Sequence, residues 1–315
     1  MLPKRLLTII LTTVLAVMGT RAARAQWVQT NGPWGGDAFC LASTGPHLLA
    51  GTNNGLYIST NNGDSWNLDT VGIPRGGVTA MLAQDTDVII GVAGTGAIRS
   101  TDGGSQWIVL DSGLTDSTIV SFNRIGDHLY AGTEKGIFRL NNGENDWQAL
   151  SDELPPLPVS AIIGIDSTMF IGMQGVHLST DSGLTWRGDG LTNDEVTSLA
   201  AIGQTIFAAT PSSGIFRSNQ SSSWTRIDSG LERPFNITAL LAFGDTLFAG
   251  SSSGNLYRSI DSGTSWDRVD AGFFPSGINT LFATAHFLYA GTATNGIFRS
   301  ADQSRSWNSA SGGLG

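Results

Sequence analysis

The chain has 315 residues, 40% hydrophobic and only 14% charged, which gives enough apolar content for a large packed core and argues against disorder. Glu occurs five times and Lys twice (Lys4 and Lys135), so the residues that populate exposed helix faces are scarce and a largely helical protein is excluded. With 17 Lys and Arg against 26 Asp and Glu, the net charge of −9 is a poor match for nucleic acid or an anionic membrane surface.

The first element in chain order is a leader. Lys4 and Arg5 precede an apolar run, Leu6 to Met18, too short to span a bilayer, and Ala23-Arg24-Ala25 sets small residues at the −3 and −1 positions of a cleavage site. Residues 1–25 therefore read as a secretory signal peptide, cut before Gln26, that directs a bacterial-looking chain to the periplasm or the exterior. Its removal takes away Lys4, Arg5, Arg21 and Arg24, leaving 13 cationic against 26 acidic residues and a net charge of −13 over residues 26–315. No integral membrane span is expected. Cys40 stands alone, so no intrachain disulfide forms, and its place in an apolar strand predicts a buried, unreactive thiol. His47, His128, His177 and His286 are scattered without ligand spacing, so neither a metal nor a cofactor is expected.

Beyond the leader the chain repeats. Trp27, Trp66, Trp107, Trp147, Trp186, Trp224, Trp266 and Trp307 are separated by 39, 41, 40, 39, 38, 42 and 41 residues. Each interval holds an apolar strand (Val78-Thr-Ala-Met-Leu) and a second strand ending in small residues (Leu129-Tyr-Ala-Gly-Thr). A third follows a Gly-containing turn (Gly136-Ile-Phe-Arg), and then come a polar turn, Trp and a fourth strand. Four short strands per unit of about 40 residues is the signature of a propeller blade. One such sheet has two apolar faces, and stacking blades in a ring buries both. Seven intervals predict an all-β, seven-bladed β-propeller over residues 26–315, with four-stranded antiparallel blades. Trp27-Val-Gln is expected to pair within blade seven and fasten the ring.

The turn between strands three and four carries the most specific motif: Ser100-Thr-Asp102-Gly-Gly-Ser-Gln-Trp107, Ser179-Thr-Asp181-Ser-Gly-Leu-Thr-Trp186 and Ser259-Ile-Asp261-Ser-Gly-Thr-Ser-Trp266. Blade one has Asn61 in the Asp place before Trp66, and blade seven has Asp302 with Ser304 in the Gly place before Trp307. The turn before Trp147 is degenerate, and the one before Trp224 is a residue shorter. A short Asp or Asn side chain can accept backbone N–H bonds within its own turn, and Trp can plug the sheet that follows. These residues are therefore expected to be structural.

The pattern Ser-x-Asp-x-Gly-x-x-Trp resembles the Asp-box, or BNR, repeat of the sialidase-like superfamily, which also includes sortilin-like receptors, xyloglucanases and photosystem II assembly factor-like propellers. The resemblance covers essentially all of residues 27–307. It implies a propeller whose boxes lie away from any catalytic face. A sialidase by this resemblance needs three arginines around a carboxylate, a Tyr nucleophile helped by Glu, an Asp acid/base and an early Phe-Arg-Ile-Pro, and that tetrapeptide does not occur. Arg99, Arg139, Arg217, Arg258 and Arg299 all occupy one third-strand slot, and Tyr57, Tyr130, Tyr257 and Tyr289 all fall in repeat slots. Xyloglucanase-type chemistry pairs two Asp residues across two propellers, whereas this chain supplies one.

No catalytic residue is therefore assigned. The expected function is a secreted, non-catalytic binding or scaffold propeller for a carbohydrate or protein ligand, with an exo-sialidase-like glycoside hydrolase and a chaperone-like assembly factor as alternatives. The loops from strand four to strand one vary most. Those entering blades six, seven, one and two offer Arg233, Phe235, Phe274, Trp34 and Arg75 as a ligand-binding arc. The opposite arc is acidic: Asp116, Asp152, Glu153, Asp194 and Glu195. Arg forks suit carboxylates and sugar rings stack on aromatics, so this arc favours an acidic ligand. Each loop also repeats an apolar residue (Trp34, Ile73, Leu114, Leu154, Leu191, Leu231, Phe273, Leu314), best read as a buried staple. The last of these begins a further loop, which suggests a longer parent chain with a further module.

Overall fold

A computed structural model describes residues 36–141, 143–150, 153–220, 223–269 and 276–314. The predicted leader, Trp27-Val-Gln, Trp34, Asp152 and the segment holding Phe273 and Phe274 lie outside the described residues. No helix forms among those described. The period-2 apolar runs form seven antiparallel sheets, each built from strands consecutive in the chain. Blade one comprises Ala38–Thr44, His47–Thr52, Gly55–Ser59 and Asn67–Leu68. Blades two, three, five, six and seven repeat this order, starting at Val78, Ile119, Ser198, Ile237 and Ile278. In blade four the second and third strands run together as Thr168–Ser179, flanked by Ala161–Ile165 and Arg187–Glu195. The cause is a deletion: two residues separate Gly172 from the left-handed Gly175 (φ 83°), where three separate Gly132 from Gly136.

The core is divided among the seams between blades. Seven buried clusters form, one per seam, each joining two consecutive blades. The ring closes side by side, with the first strand of blade one against the first strand of blade seven. The fourth-strand place of blade seven, expected for Trp27-Val-Gln, is filled by Asn308–Ser309, which pairs with Phe298 and Arg299. A two-residue strand beside its partner costs little loop entropy to close, whereas the other terminus must return across the whole chain.

Three further contacts recur at the seams. The Gly of the Ala-Gly-Thr strand is the point of closest approach: a Cβ at Gly132 would lie 2.3 Å from the Val159 carbonyl oxygen of the next blade. Close by, a small polar side chain donates to a carbonyl in or just before the first strand of the following blade: Thr79 to Ile119 at 2.6 Å, Ser121 to Val159 at 2.7 Å, Thr197 to Ile237 at 2.9 Å, Asn279 to Ala38 at 3.3 Å. Cys40 occupies this slot in blade one, its Sγ 3.8 Å from the Val78 carbonyl oxygen, and burial pushes the thiol up to about 12. The third contact belongs to Trp. The indole N–H of Trp66 donates to Ala310 at 2.6 Å, Trp147 to Leu110 at 2.8 Å, Trp186 to Leu150 at 2.9 Å, Trp224 to Asp189 at 2.9 Å and Trp266 to Ile227 at 2.7 Å. In each case the acceptor is the carbonyl three residues after the Trp of the preceding blade. Trp is thus both a plug and a hydrogen-bonded weld between blades.

Candidate functional site

The two ends of the ring differ chemically. Loops from strand four to one and from two to three share one end, held by backbone bonds such as Ala93 N–H to Gly77 and Val159 N–H to Thr133. The one-to-two hairpins and three-to-four turns share the other, where Gly103 N–H donates to Thr86 and the Thr44 hydroxyl donates to the Asp85 carbonyl.

At the loop end, the expected arc is only partly brought together. Arg75 is exposed and makes no ion pair among the described residues. Arg233 lies with its guanidinium 4.5 Å from the Phe235 ring centre and 3.6 Å from Asp228, and Arg226 covers the same ring at 5.2 Å while pairing Asp228 at 2.8 Å. Phe235 itself is 3% exposed, packed with Ile215, Ile227 and Tyr257 over the left-handed Gly214. It is therefore a second plug in its loop and not a ligand-facing ring: lying off the repeat meant an extra core contact, not exposure. Trp34 and Phe274 lie outside the described residues. Leu154 and Leu314 are buried staples, and Ile73, Leu114, Leu191 and Leu231 are half-buried. The acidic arc is also partly internal. Asp116 is buried and accepts the Thr118 N–H at 3.1 Å, and Glu153 accepts the Trp186 N–H at 3.1 Å.

At the turn end the Ser-x-Asp turns share one geometry. In blade six the Ser259 hydroxyl donates to Asp261 at 2.8 Å and accepts the Gly263 N–H at 2.8 Å, while Asp261 accepts the Ser265 N–H at 2.9 Å. Asp102, Asp181 and Asp302 repeat this, as does Asn61. The hydroxyl of Ser265, then its N–H, holds the Asp261 carboxyl down at about 2, and Thr185 does the same for Asp181. The residue after the Asp or Asn adopts a left-handed conformation at Asn62, Ser182, Ser262 and Gln303, which turns its carbonyl toward the preceding blade.

That carbonyl explains the slot arginines. Arg139 donates to Ser182 at 3.1 Å, Arg217 to Ser262 at 2.9 Å and Arg299 to Asn62 at 2.6 Å, each crossing a seam. Tyr130 and Tyr289 donate to two of the same carbonyls at 3.3 Å. Burial pushes the Tyr289 hydroxyl up to about 12 and raises Tyr130. Arg99 faces the degenerate turn of blade three and instead grips Asp87 at 2.7 and 2.8 Å, with Arg124 on the same carboxylate.

Arg258 alone of the five has no hydrogen bond or ion pair among the described residues. It lines a notch of about 410 Å3 between blades six and seven, with Phe243, Ile260 and Phe287 as apolar walls and His286 at the rim. The sequence reading passed over this notch, although two signals marked it. Phe287 stands where the other second strands begin with His47, Asp87, His128, Thr168, Thr205 or Thr246. Ile260 stands where the other Ser-x-Asp turns carry Thr60, Thr101, Thr180 or Ala301. No three His, Cys, Asp or Glu side chains cluster to hold a metal among the described residues, and no helix there is long and apolar enough to cross a membrane.

Fold and seams define a seven-bladed β-propeller. No protein-family model matches the sequence, and no curated protein matches it significantly. Among solved structures, YCF48 bound to D1 peptide is 18% identical with a TM-score of 0.69, over 85% of this chain and 92% of that one. YCF48 from Cyanidioschyzon merolae is 15% identical with a TM-score of 0.65, over 86% of this chain and 97% of that one. The GH74 xyloglucanase from Xanthomonas campestris is 14% identical with a TM-score of 0.72, over 91% of this chain but 56% of its own length. The match thus spans more than nine-tenths of the two YCF48 chains and about half of the enzyme.

Proposed function

We propose that the protein is a non-catalytic Asp-box propeller, exported by its leader, that binds a segment of another protein. The observation that carries this reading is how its acids and tyrosines are employed. Asp102, Asp181, Asp261 and Asp302 are all held below the usual carboxylate range by donors inside their own turns, whereas a glycosidase acid needs its pKa raised. Tyr130, Tyr257 and Tyr289 are shifted upward by burial, away from what a nucleophile requires. YCF48, which has the same fold and about this length, carries a bound peptide, and this supports a peptide over a sugar ligand. The likeness to GH74 propellers extends over only about half of each of those enzymes and is a likeness of fold.

The test is a side-by-side titration of the purified protein with a peptide array, a glycan panel, xyloglucan and a fluorogenic sialoside. Saturable binding to peptides with no turnover of either substrate is expected. Turnover of xyloglucan or sialoside, or binding confined to glycans, would overturn the proposal.

A further inference from the structure

Resting on that reading, we propose that the notch at the seam of blades six and seven is the peptide site, and that it takes an extended segment in which a Glu or Asp neighbours an aromatic or aliphatic residue. Three observations converge on it. Arg258 is a cation in a chain of net charge −9, with no partner among the described residues, in a slot where Arg139, Arg217 and Arg299 are each bound to the next blade. The walls hold apolar surface in water: Ile260 is 72% exposed and Phe243 39% exposed. Arg258 also lines a second hollow of about 230 Å3, together with Asp267, Arg268 and Arg305.

Two hollows that share Arg258, one with apolar walls and one lined also by Arg268 and Arg305, suit an extended chain better than a compact small molecule. A carboxylate at Arg258 would gain a charge-assisted, fork-shaped contact, and the neighbouring side chain would cover Ile260, Phe243 and Phe287. Arg268 is held by Glu232 at 3.0 Å, so the exposed Arg305 is the freer cation at the far end. Asp267 faces Arg258 across the strand pair and opposes an incoming carboxylate.

The site differs from the loop-end arc, so the two are separable by mutation. The probe is a fluorescein-labelled peptide, Gly-Ser-Leu-Glu-Phe-Ser-Gly, followed by anisotropy, with versions carrying Gln or Lys for Glu and Ser for both Leu and Phe; 3-phenylpropionate serves as competitor. The Glu peptide should bind at least about tenfold more tightly than the Gln or Lys peptide. Arg258→Gln should abolish that preference, Arg258→Lys should keep part of it, Ile260→Ser should weaken the versions that keep Leu and Phe, and Asp267→Asn should tighten the Glu peptide. Unchanged melting curves of these surface variants confirm that each is folded. A Glu preference that survives Arg258→Gln, or 3-phenylpropionate matching the peptide's affinity, would overturn the notch as a peptide site while leaving peptide binding elsewhere intact. Failure of every version to bind, with binding on the peptide array intact, would overturn this site alone, and failure of the array as well would overturn the functional reading beneath it.

Discussion

The seam that closes the ring and the seam beside it differ in how their turn ends are held. Between blades seven and one, Arg299 reaches the Asn62 carbonyl at 2.6 Å and Asp64 at 2.9 Å, and Tyr289 joins it on Asn62. Trp66 welds to Ala310 and Gly312 through its indole and backbone N–H groups. Between blades six and seven, the second strand carries Phe248 in place of Tyr, Arg258 holds nothing described, and the turn opposite has Ser304 (φ 71°) where Gly is usual. Both seams bury an apolar cluster and both carry an inner bond, Asn279 to Ala38 and Thr238 to Ile278. The difference is confined to the turn end. A propeller can therefore open one clasp for a ligand while its core seam stays shut.

Breaking the closing seam should cost most. Trp66→Ala removes a side chain 3% exposed and its bond to Ala310, and should destabilise by about 3–5 kcal/mol in urea melts. Trp66→Phe, which loses mainly the N–H bond, should cost about 1–3 kcal/mol because the buried Ala310 carbonyl is left unpaired. A next-smaller effect is expected where the blades approach. Gly132→Ala would set a Cβ 2.3 Å from both Ser121 Oγ and the Val159 carbonyl oxygen, and should cost about 1–3 kcal/mol by overpacking. Blade five, which already carries Ala209 at this position, should tolerate Ala209→Gly far better, so equal losses would break the account of the seam.

Much of this architecture was legible because it recurs. The Trp spacing set the blade number, and the recurring strands set the order within each blade. What repeats within the sequence could not show was the partner of each repeated residue. The slot arginines looked alike at Arg139, Arg258 and Arg299, yet two clasp the next blade and one lines a notch. Gln303 offers Arg258 the same left-handed turn that Ser182 and Asn62 offer Arg139 and Arg299, so the difference between them shows only in the folded seams. Phe235 was misplaced for a related reason. A departure from the pattern signals a local difference, and here that difference is an extra core contact under Arg226 and Arg233. Ile260 is a departure that does face solvent and Phe287 is a half-buried one, and their shared notch appears only when blades six and seven are set side by side.

The turns themselves should report on pH. The carboxyls of Asp181 and Asp261 sit at about 2 when folded against an ordinary 3.8. A group held down in the folded state stabilises it above its unfolded pKa, and that contribution fades as pH falls from about 4 toward 2. Blade one supplies an internal control, because Asn61 makes the same turn with no titrating group, accepting the Ser65 N–H at 2.9 Å. Asp181→Asn and Asp261→Asn together should therefore flatten the acid limb of a melting-temperature profile between pH 4 and 2, with little change at pH 7. An unaltered acid limb would mean that these turns do not couple to folding.

The smallest expected effect is also the sharpest comparison. Arg299→Gln removes bonds to Asn62 and Asp64 and a stacking contact with Phe287 at 4.9 Å, from a side chain 21% exposed, and should cost about 1–2 kcal/mol. Arg258→Gln occupies the same slot one blade earlier, but no bond among the described residues is lost, so stability should change by less than about 0.5 kcal/mol. The local field points the same way: Asp267 is the cross-strand neighbour of Arg258, yet no ion pair forms with it. The measurement is a pair of urea melts at pH 7 in which slope and midpoint are read together, since a constant slope shows that only stability has moved. A loss at Arg258 equal to that at Arg299 would mean that Arg258 clasps Gln303 in solution, as its counterparts clasp their turns, and the seam between blades six and seven would then be closed like the rest.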